Sequence, residues 1–497
     1  MRLKTDSVRF FENRWNLALL LLLALAVARL WIQQIGSGFW VDEMVTVFVI
    51  HHGVADRSLA VAPQVPQSVY YPVAHLADRL FGTREAAYRL PSILFSLIAL
   101  WLIARLAIRL IHPEAGWFAV FACLALKAFN WEAADARPYA MGFCALAAAM
   151  LFLVRWLDSG SAWDAAAFLV LAALVWRIQL IFWPVYAVLV LYTVVRLARR
   201  ETVVTWSRAA LLFTALGVLL APVLLEAIVV NRGAHDHVIA AEPTVRDLLN
   251  AVRWKLIVLC AAGAWLIARL SKWTRERVPL LPSAMALIGG WWLIPPVALF
   301  AFSLASGNSV FVRRYYSIAM PGAALAATFL TARFLPKPHW KHAAALLGAG
   351  VLVMYGARPE PWPGSDWRSA AAAVNALPAG TPVIAPSPFV EAKSPAWRPD
   401  YPLPGFLYAH LNVYPLRQRT FLFPFQPSAE AEQYAAELDR KALARSHRFV
   451  IYGGDSNVRF WRNWFAKQPE LAGWSAHSLG SFGDVGAVLF ETNPSPR

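Results

Sequence analysis

Apolar runs about as long as a bilayer is thick recur along most of this chain. A helix needs about 20 apolar residues to cross the hydrocarbon core. The clearest run, WNLALLLLLALAVARLWIQQIG, fills 15–36. It is too long for a cleaved signal peptide and no A-x-A-like site follows it, so a retained helix is expected. Composition agrees: 59% of residues are hydrophobic and 15% charged. A soluble domain carries about 25% charged residues. The mean hydropathy is +0.48, so lipid is the solvent for most of this chain.

Reading every such run gives about eleven transmembrane helices. They lie at roughly 15–36, 91–111, 116–129, 138–157, 163–176, 178–197, 208–230, 250–270, 280–304, 315–334 and 341–357. The runs at 116–129 and 163–176 are the shortest. Short basic connections carry Arg2, Lys4, Arg9 and Arg14, then Arg196, Arg199, Arg200 and Arg208, then Arg269, Lys272, Arg275 and Arg277, then Arg333, Lys337 and Lys341. These read as cytoplasmic. The mixed connections 37–90, 130–137, 231–249 and 305–314 then fall on the outer side, as does the segment 358–497. The net charge of +16 belongs to helix ends rather than to one stripe, which argues against nucleic acid as a partner.

Composition changes at 358. Strand-like runs at 381–386, 447–454 and 486–491 alternate with amphipathic helices at roughly 366–377, 428–443 and 457–467. That alternation predicts a small α/β domain. The division expected is 1–357 for the transmembrane part and 358–497 for the soluble one. Cys123, Cys144 and Cys260 all lie in apolar runs without a C-x-x-C pair, so neither a disulfide framework nor a zinc site is visible. Walker A, G-x-G-x-x-G and H-E-x-x-H patterns are absent. No internal repeat of fixed period is seen.

Four outer segments carry groups that could do chemistry. In GFWVDEMVTVFVIHHG, Asp42 and Glu43 follow the first helix directly, beside the interfacial Trp40. Carboxylates held among apolar groups are candidate bases. Asp42 could equally cap a helix over 43–50. The segment 66–92 places Tyr70, Tyr71, His75 and Arg79 at near-helical spacing, breaks at Gly82, and ends in Arg84, Arg89 and Pro91. It fits an amphipathic helix on the membrane, where His75 also suits a plain surface position. In NWEAADARPYA, Asp135 and Arg137 fall between two apolar runs. Ionisable groups at membrane level are functional candidates, though a loop ion pair would look the same. Arg313 and Arg314 form a basic pair at a helix entry, suited to a phosphate or to lipid headgroups. With Arg89, Arg137 and Arg177 they break the positive-inside pattern.

Taken in order, these motifs resemble the GT-C superfamily of membrane glycosyltransferases. More narrowly, they are similar to family 39 and its bacterial relatives, the protein O-mannosyltransferases and the lipid A aminoarabinose transferases. The matching residues are Trp40-Val41-Asp42-Glu43, Tyr70-Tyr71, Phe81-Gly82, Arg89-Leu90-Pro91-Ser92, Asp135-Ala136-Arg137-Pro138-Tyr139-Ala140, and Arg314-Tyr315 with Pro321. They span about 38–335. One departure stands out. Many relatives carry a His or Lys and then Pro-Pro before the tyrosine pair, where this chain has Pro66, Gln67 and Ser68.

The resemblance implies an α-helical polytopic inner-membrane enzyme, GT-C-like, with a small periplasmic C-terminal α/β domain. It implies an inverting transfer from a polyprenyl-phosphate-linked sugar to a glycolipid, polysaccharide or protein acceptor. Catalysis falls to Asp42 as general base, with Asp135 orienting and Glu43 supporting. Arg314 and Arg137, then Arg89, face the leaving phosphate. Tyr70, Tyr71, His75, Tyr139, Arg313 and Tyr315 complete the expected substrate site. No cofactor is assigned, and a divalent cation between Asp42 and Asp135 is left open. A transporter or flippase for lipid-linked sugars would share the helices and the phosphate site. A sensor reading rests only on 358–497.

Overall fold

The structure is a computed structural model that describes residues 14–233, 240–271, 281–355, 364–394, 397, 405–443 and 445–492. Among these, helices stand at each expected apolar run. They are Arg14–Val27 with its π-helical extension Ala28–Ile32, Glu85–Leu110, Gly116–Leu124, Tyr139–Ser159 and Ala162–Ile178. Val185–Ala198, Trp206–Arg232, Trp254–Leu270, Pro282–Ser306, Met320–Thr331 and Trp340–Met354 follow. Six spans are long and apolar enough to cross a membrane, and the bent pair Val245–Ala251 and Trp254–Leu270 makes a seventh. The other helices are shorter, from 9 residues at Gly116–Leu124 to 17 at Ala162–Ile178. The basic positions expected at 2–9 and 272–277, and the domain boundary at 357, lie outside the described residues.

The segment 84–91 differs from its reading as loop. The second long helix starts at Glu85 rather than 91 and carries Pro91 inside it. Gly82, with φ of +77°, makes the break where one was expected. The consequence is that Arg89 rises from the second turn of a helix and points into the protein.

Short helices fill the centre of the bundle because their residues are small. Met320–Thr331 is almost wholly buried and packs on Gly116–Leu124, Trp254–Leu270 and Pro282–Ser306. Without a hydrophobic drive between helices in lipid, close backbone approach supplies the contact energy. Gly322 shows how close: a Cβ there would meet the Trp292 amide nitrogen at 2.5 Å and the Trp291 carbonyl carbon at 2.6 Å. At Gly348 the nearest atoms are instead the ends of Leu22 and Phe121 side chains.

The C-terminal part forms a five-stranded sheet, β1 (Val383–Pro386), β2 (Thr420–Phe423), β3 (Arg448–Gly454), β4 (Trp474–Ser478) and β5 (Val485–Thr492). Its order is β2-β1-β3-β5-β4. The pairs β1–β2 and β1–β3 are parallel, while β5 runs antiparallel to β3 and β4. Helices Trp367–Asn375, Ala429–Leu438 and Asp455–Phe465 cover it. The three strands legible in the sequence are the central ones, β1, β3 and β5. The two that were missed, β2 and β4, are the edges. Edge strands bury only part of their side chains, so their apolar pattern is weaker.

This domain is not a separate body. The helix Val41–His52 sends Val45, Phe48 and Val49 into the core formed by Ile384, Phe406, Phe449 and Trp461. Its Met44 and Val47 enter the core on the other side, with Trp367, Val450 and Tyr452. Polar ties run beside them. Tyr414 Oη accepts from the Phe39 amide at 2.8 Å and donates to Glu85 at 2.9 Å. Arg368 donates to Glu85 and to the Gly36 carbonyl, each at 3.0 Å.

Gly322→Ala is expected to destabilise the bundle by about 1–3 kcal/mol, the range for overpacking a tight core. Gly348→Ala should cost less, because side-chain ends can move. Thermal melting of the detergent-solubilised protein reads both, and equal costs would contradict the close helix crossing at Gly322.

Candidate functional site

The site forms where the first connection meets the second. Val41–His52 begins at Trp40, whose amide donates to the Glu43 side chain at 3.3 Å. Capping of this helix therefore falls to Glu43, not to Asp42 as the alternative reading had it. Glu43 is completely buried and paired with Arg89, also completely buried. Arg89 Nε donates to Glu43 Oε1 at 2.7 Å, and its other nitrogens donate to the carbonyls of Ile35, Ser37 and Gly38. Glu43 Oε1 also accepts from the Ala136 amide at 2.9 Å. Both residues are spent on tying segments together, and neither side chain opens to a substrate.

Asp42 is different. It keeps 21% of its side chain exposed, against 0% for Glu43. Its Oδ2 lies 3.2 Å from Nη1 of Arg314, which is itself 36% exposed. Arg137 Nη1 donates to the Asp42 backbone carbonyl at 3.1 Å. The second connection is pinned on the same spot. Trp40 Nε1 donates to Asp135 Oδ1 at 3.0 Å, and Thr46 Oγ1 to the Ala136 carbonyl at 2.9 Å. Aromatic faces hold the cations. Arg314 lies over Trp40 at 5.8 Å and over Tyr315 at 5.3 Å, and Arg313 lies over Trp131 at 4.5 Å. Trp131 meets Trp40 edge-on at 6.2 Å. The structure thus brings together Asp42, Asp135, Arg137, Arg313, Arg314 and Tyr315 from three separate connections.

One acid here was not singled out from the sequence. Glu132 is fully buried, and neither of its oxygens has a hydrogen-bond partner among the described residues. Asp135 is 1% exposed, and its Oδ2 has none either. Burial first, then the charge of Asp135, push the Glu132 carboxyl well above the ordinary range. Burial first, then the charge of Glu43, do the same to Asp135. The available signal was the three-residue spacing of Glu132 and Asp135 inside a segment already marked as unusual. Burial also raises the Tyr71 hydroxyl.

The remaining expected residues are placed as follows. Tyr70 is buried, with its hydroxyl turned to the Tyr88 carbonyl and Ser92 Oγ. Tyr71 Oη donates to the Val65 carbonyl at 2.8 Å. Tyr139 is buried beside Phe182 and accepts from Gln179 at 3.5 Å. His75 lies half-buried on the helix Tyr71–Phe81, with no hydrogen bond or ion pair to the acid–arginine cluster. Among the described residues no three His, Cys, Asp or Glu side chains gather in a metal-binding arrangement.

Two solved structures match this architecture from end to end. ArnT from Cupriavidus metallidurans in the apo state shares 13% identity, with 95% of this chain and 97% of that one covered at a TM-score of 0.51. The same protein bound to undecaprenyl phosphate shares 12% identity over the same extent, at a TM-score of 0.50. This chain has the fold of ArnT. A sequence family described as dolichyl-phosphate-mannose-protein mannosyltransferase also matches residues 68–225. That match starts after Asp42 and includes Tyr70, Arg89, Asp135 and Arg137. No curated protein sequence matches the chain.

Removing one partner of a buried ion pair costs about 3–5 kcal/mol, because it strands the other charge. Arg89→Met should therefore lower the melting temperature sharply, and the double change Glu43→Gln, Arg89→Met should recover part of the loss. A double variant no more stable than the single one would contradict the pairing.

Proposed function

We propose that this chain is an inverting glycosyltransferase that takes its sugar from a polyprenyl phosphate at the outer face of the inner membrane. The observation that carries the reading is the difference among four neighbouring acids. Glu43, Glu132 and Asp135 are buried to within 1% of completely, while Asp42 is open and stands against Arg314. A base must touch the proton that it takes, and a leaving phosphate needs a cation beside it. Only Asp42 meets the first condition here, and Arg314 meets the second.

The step runs as follows. The acceptor hydroxyl oxygen attacks the anomeric carbon from the face opposite the phosphate. Asp42 takes the hydroxyl proton. The bond from the anomeric carbon to the phosphate oxygen breaks, and the phosphate leaves with the electron pair beside Arg314 and Arg137. A phosphodiester arriving at Arg314 competes with Asp42 for the guanidinium. That competition frees the Asp42 carboxylate to act as base. Lipid-linked phosphate as leaving group is supported by the fold shared with ArnT, which has been captured with undecaprenyl phosphate. Asp135, fixed by Trp40, positions the first connection, and Glu43 with Arg89 forms the frame beneath it.

The acceptor class left by this reading is a hydroxyl-bearing glycolipid, polysaccharide or protein. The C-terminal domain stands on the same side as the site and braces the helix that carries Asp42.

General-base help is worth about 10²–10⁴-fold in rate. Asp42→Asn should lose transfer of a labelled polyprenyl-phosphate sugar by that factor in a membrane preparation, with protein level and melting temperature unchanged. Transfer at the parental rate would remove Asp42 from the chemistry.

A further inference from the structure

One buried acid takes no part in the step described above. Glu132 sits on the short helix Lys127–Ala133, which packs directly against Arg313–Tyr316, the segment that brings Arg313 and Arg314 to the site. Its neighbour Trp131 carries Arg313 on its ring. Glu132 is completely buried, and neither carboxyl oxygen has a hydrogen-bond partner among the described residues. A buried carboxylate in that state is costly, since nothing replaces the water it lost. An acid that serves as framework is bonded like Glu43, which accepts from Arg89, Trp40 and Ala136.

The arginines nearby are also incompletely bonded. Nε of Arg137 and Nε of Arg314 are buried without a hydrogen-bond partner among the described residues. Arg314 has Asp42 as its ion-pair partner, whereas Arg137 spends Nη1 on a backbone carbonyl. Three guanidinium groups thus meet at a site with one open carboxylate.

The charges that act most on Glu132 are those of Asp135, Arg314, Arg313 and Arg137. Tyr139 is coupled to it as well, and Lys127 lies on its own helix. Of the other elements packed against that helix, Ala28–Ile32 brings Arg29, Glu85–Leu110 brings Arg89, already paired with Glu43, and Gly116–Leu124 brings Cys123. Ser317–Ala319 and Met320–Thr331 carry no titratable side chain. Burial and Asp135 keep a proton on Glu132, and the three arginines draw it off. That balance shifts with any other anion the arginines meet.

We infer that Glu132 is a positioning residue, the exchangeable counter-charge of these arginines, which gives up its place to the donor phosphodiester by taking on a proton. The identity of the donor rests on the transferase reading given above, while the anion binding itself is measurable without transfer. The exchange balances. One proton passes from solvent to the Glu132 carboxyl as one phosphodiester charge enters, and it returns to solvent when the site empties. Donor affinity then depends on pH in one direction. Below the pH at which Glu132 ionises in the free protein, the carboxyl is neutral and affinity is at its full value. Above that pH, each bound phosphodiester must bring in a proton, so affinity falls by up to about tenfold per pH unit.

The test titrates the full-length protein in detergent with farnesyl methyl phosphate. This phosphodiester keeps a single charge from neutral to alkaline pH and carries no sugar to transfer. Calorimetry in buffers of different ionisation enthalpy reads affinity and proton uptake together. The wild-type protein should bind about tenfold or more weakly at the alkaline end than at neutral pH, and there take up close to one proton. Glu132→Gln, a neutral isostere, should keep the neutral-pH affinity throughout and take up none. Asp135→Asn should keep the slope but move it to lower pH, because one of the charges that hold the proton on Glu132 is gone. Wild-type affinity that does not change with pH, with no proton taken up, would overturn the inference without recourse to any variant. So would a slope that persists in Glu132→Gln, or one that disappears in Asp135→Asn. Wild-type protein that binds with the expected pH dependence but transfers no sugar would sink the transferase reading and leave the role of Glu132 standing.

Discussion

Glu43 and Arg89 are both withdrawn from water, and taking two charges into an interior costs several kcal/mol each before anything is regained. What offsets that cost is the number of bonds they make. Arg89 bonds to Glu43 and to three carbonyls on the exit from the first helix, while Glu43 also accepts from Trp40 and Ala136. Four chain segments meet in this one pair. Asp42 is the residue next to Glu43, so its position follows from a neighbour that never touches solvent. The pair makes a frame, and Asp42, the base proposed above, stands at its edge.

The C-terminal domain completes that frame from the other side. Val41–His52 is buried along two sides in the two cores of the sheet domain. Tyr414 and Arg368 hold the residues just ahead of it. A domain that composition alone presents as a separate module is thus part of the wall of the site. The packing crosses the change in composition at which the sequence divides.

Much of this was legible in the sequence. Apolar run length located the helices, since lipid leaves backbone groups no other partner than one another. The central strands β1, β3 and β5 and the three helices of the C-terminal domain could be read from alternation. The motif order pointed to Asp42, Asp135, Arg137 and Arg314, and the fold brings them together. Three features were hidden for physical reasons. Arg89 looked like a loop cation, because Pro91 hid a helix that starts before it. The edge strands β2 and β4 carry little apolar signal. The cations Arg29 and Lys127 and the close pair Arg253 and Lys255 come from three chain segments far apart in sequence, and only the packing of those segments brings them around one cavity.

The proposed transferase and a carrier differ in the charge plan that each needs. A transferase needs an open base within one sugar ring of a phosphate site, and Asp42 beside Arg314 supplies that arrangement. A carrier needs the phosphate site without the base. The most direct measurement reconstitutes the wild-type chain in vesicles with a labelled polyprenyl-phosphate sugar and an acceptor-containing membrane extract. The account predicts that label leaves the polyprenyl phosphate and appears covalently in an acceptor fraction, with free polyprenyl phosphate released. Label that crosses the bilayer still attached to the polyprenyl phosphate, with no new glycoconjugate, would contradict it.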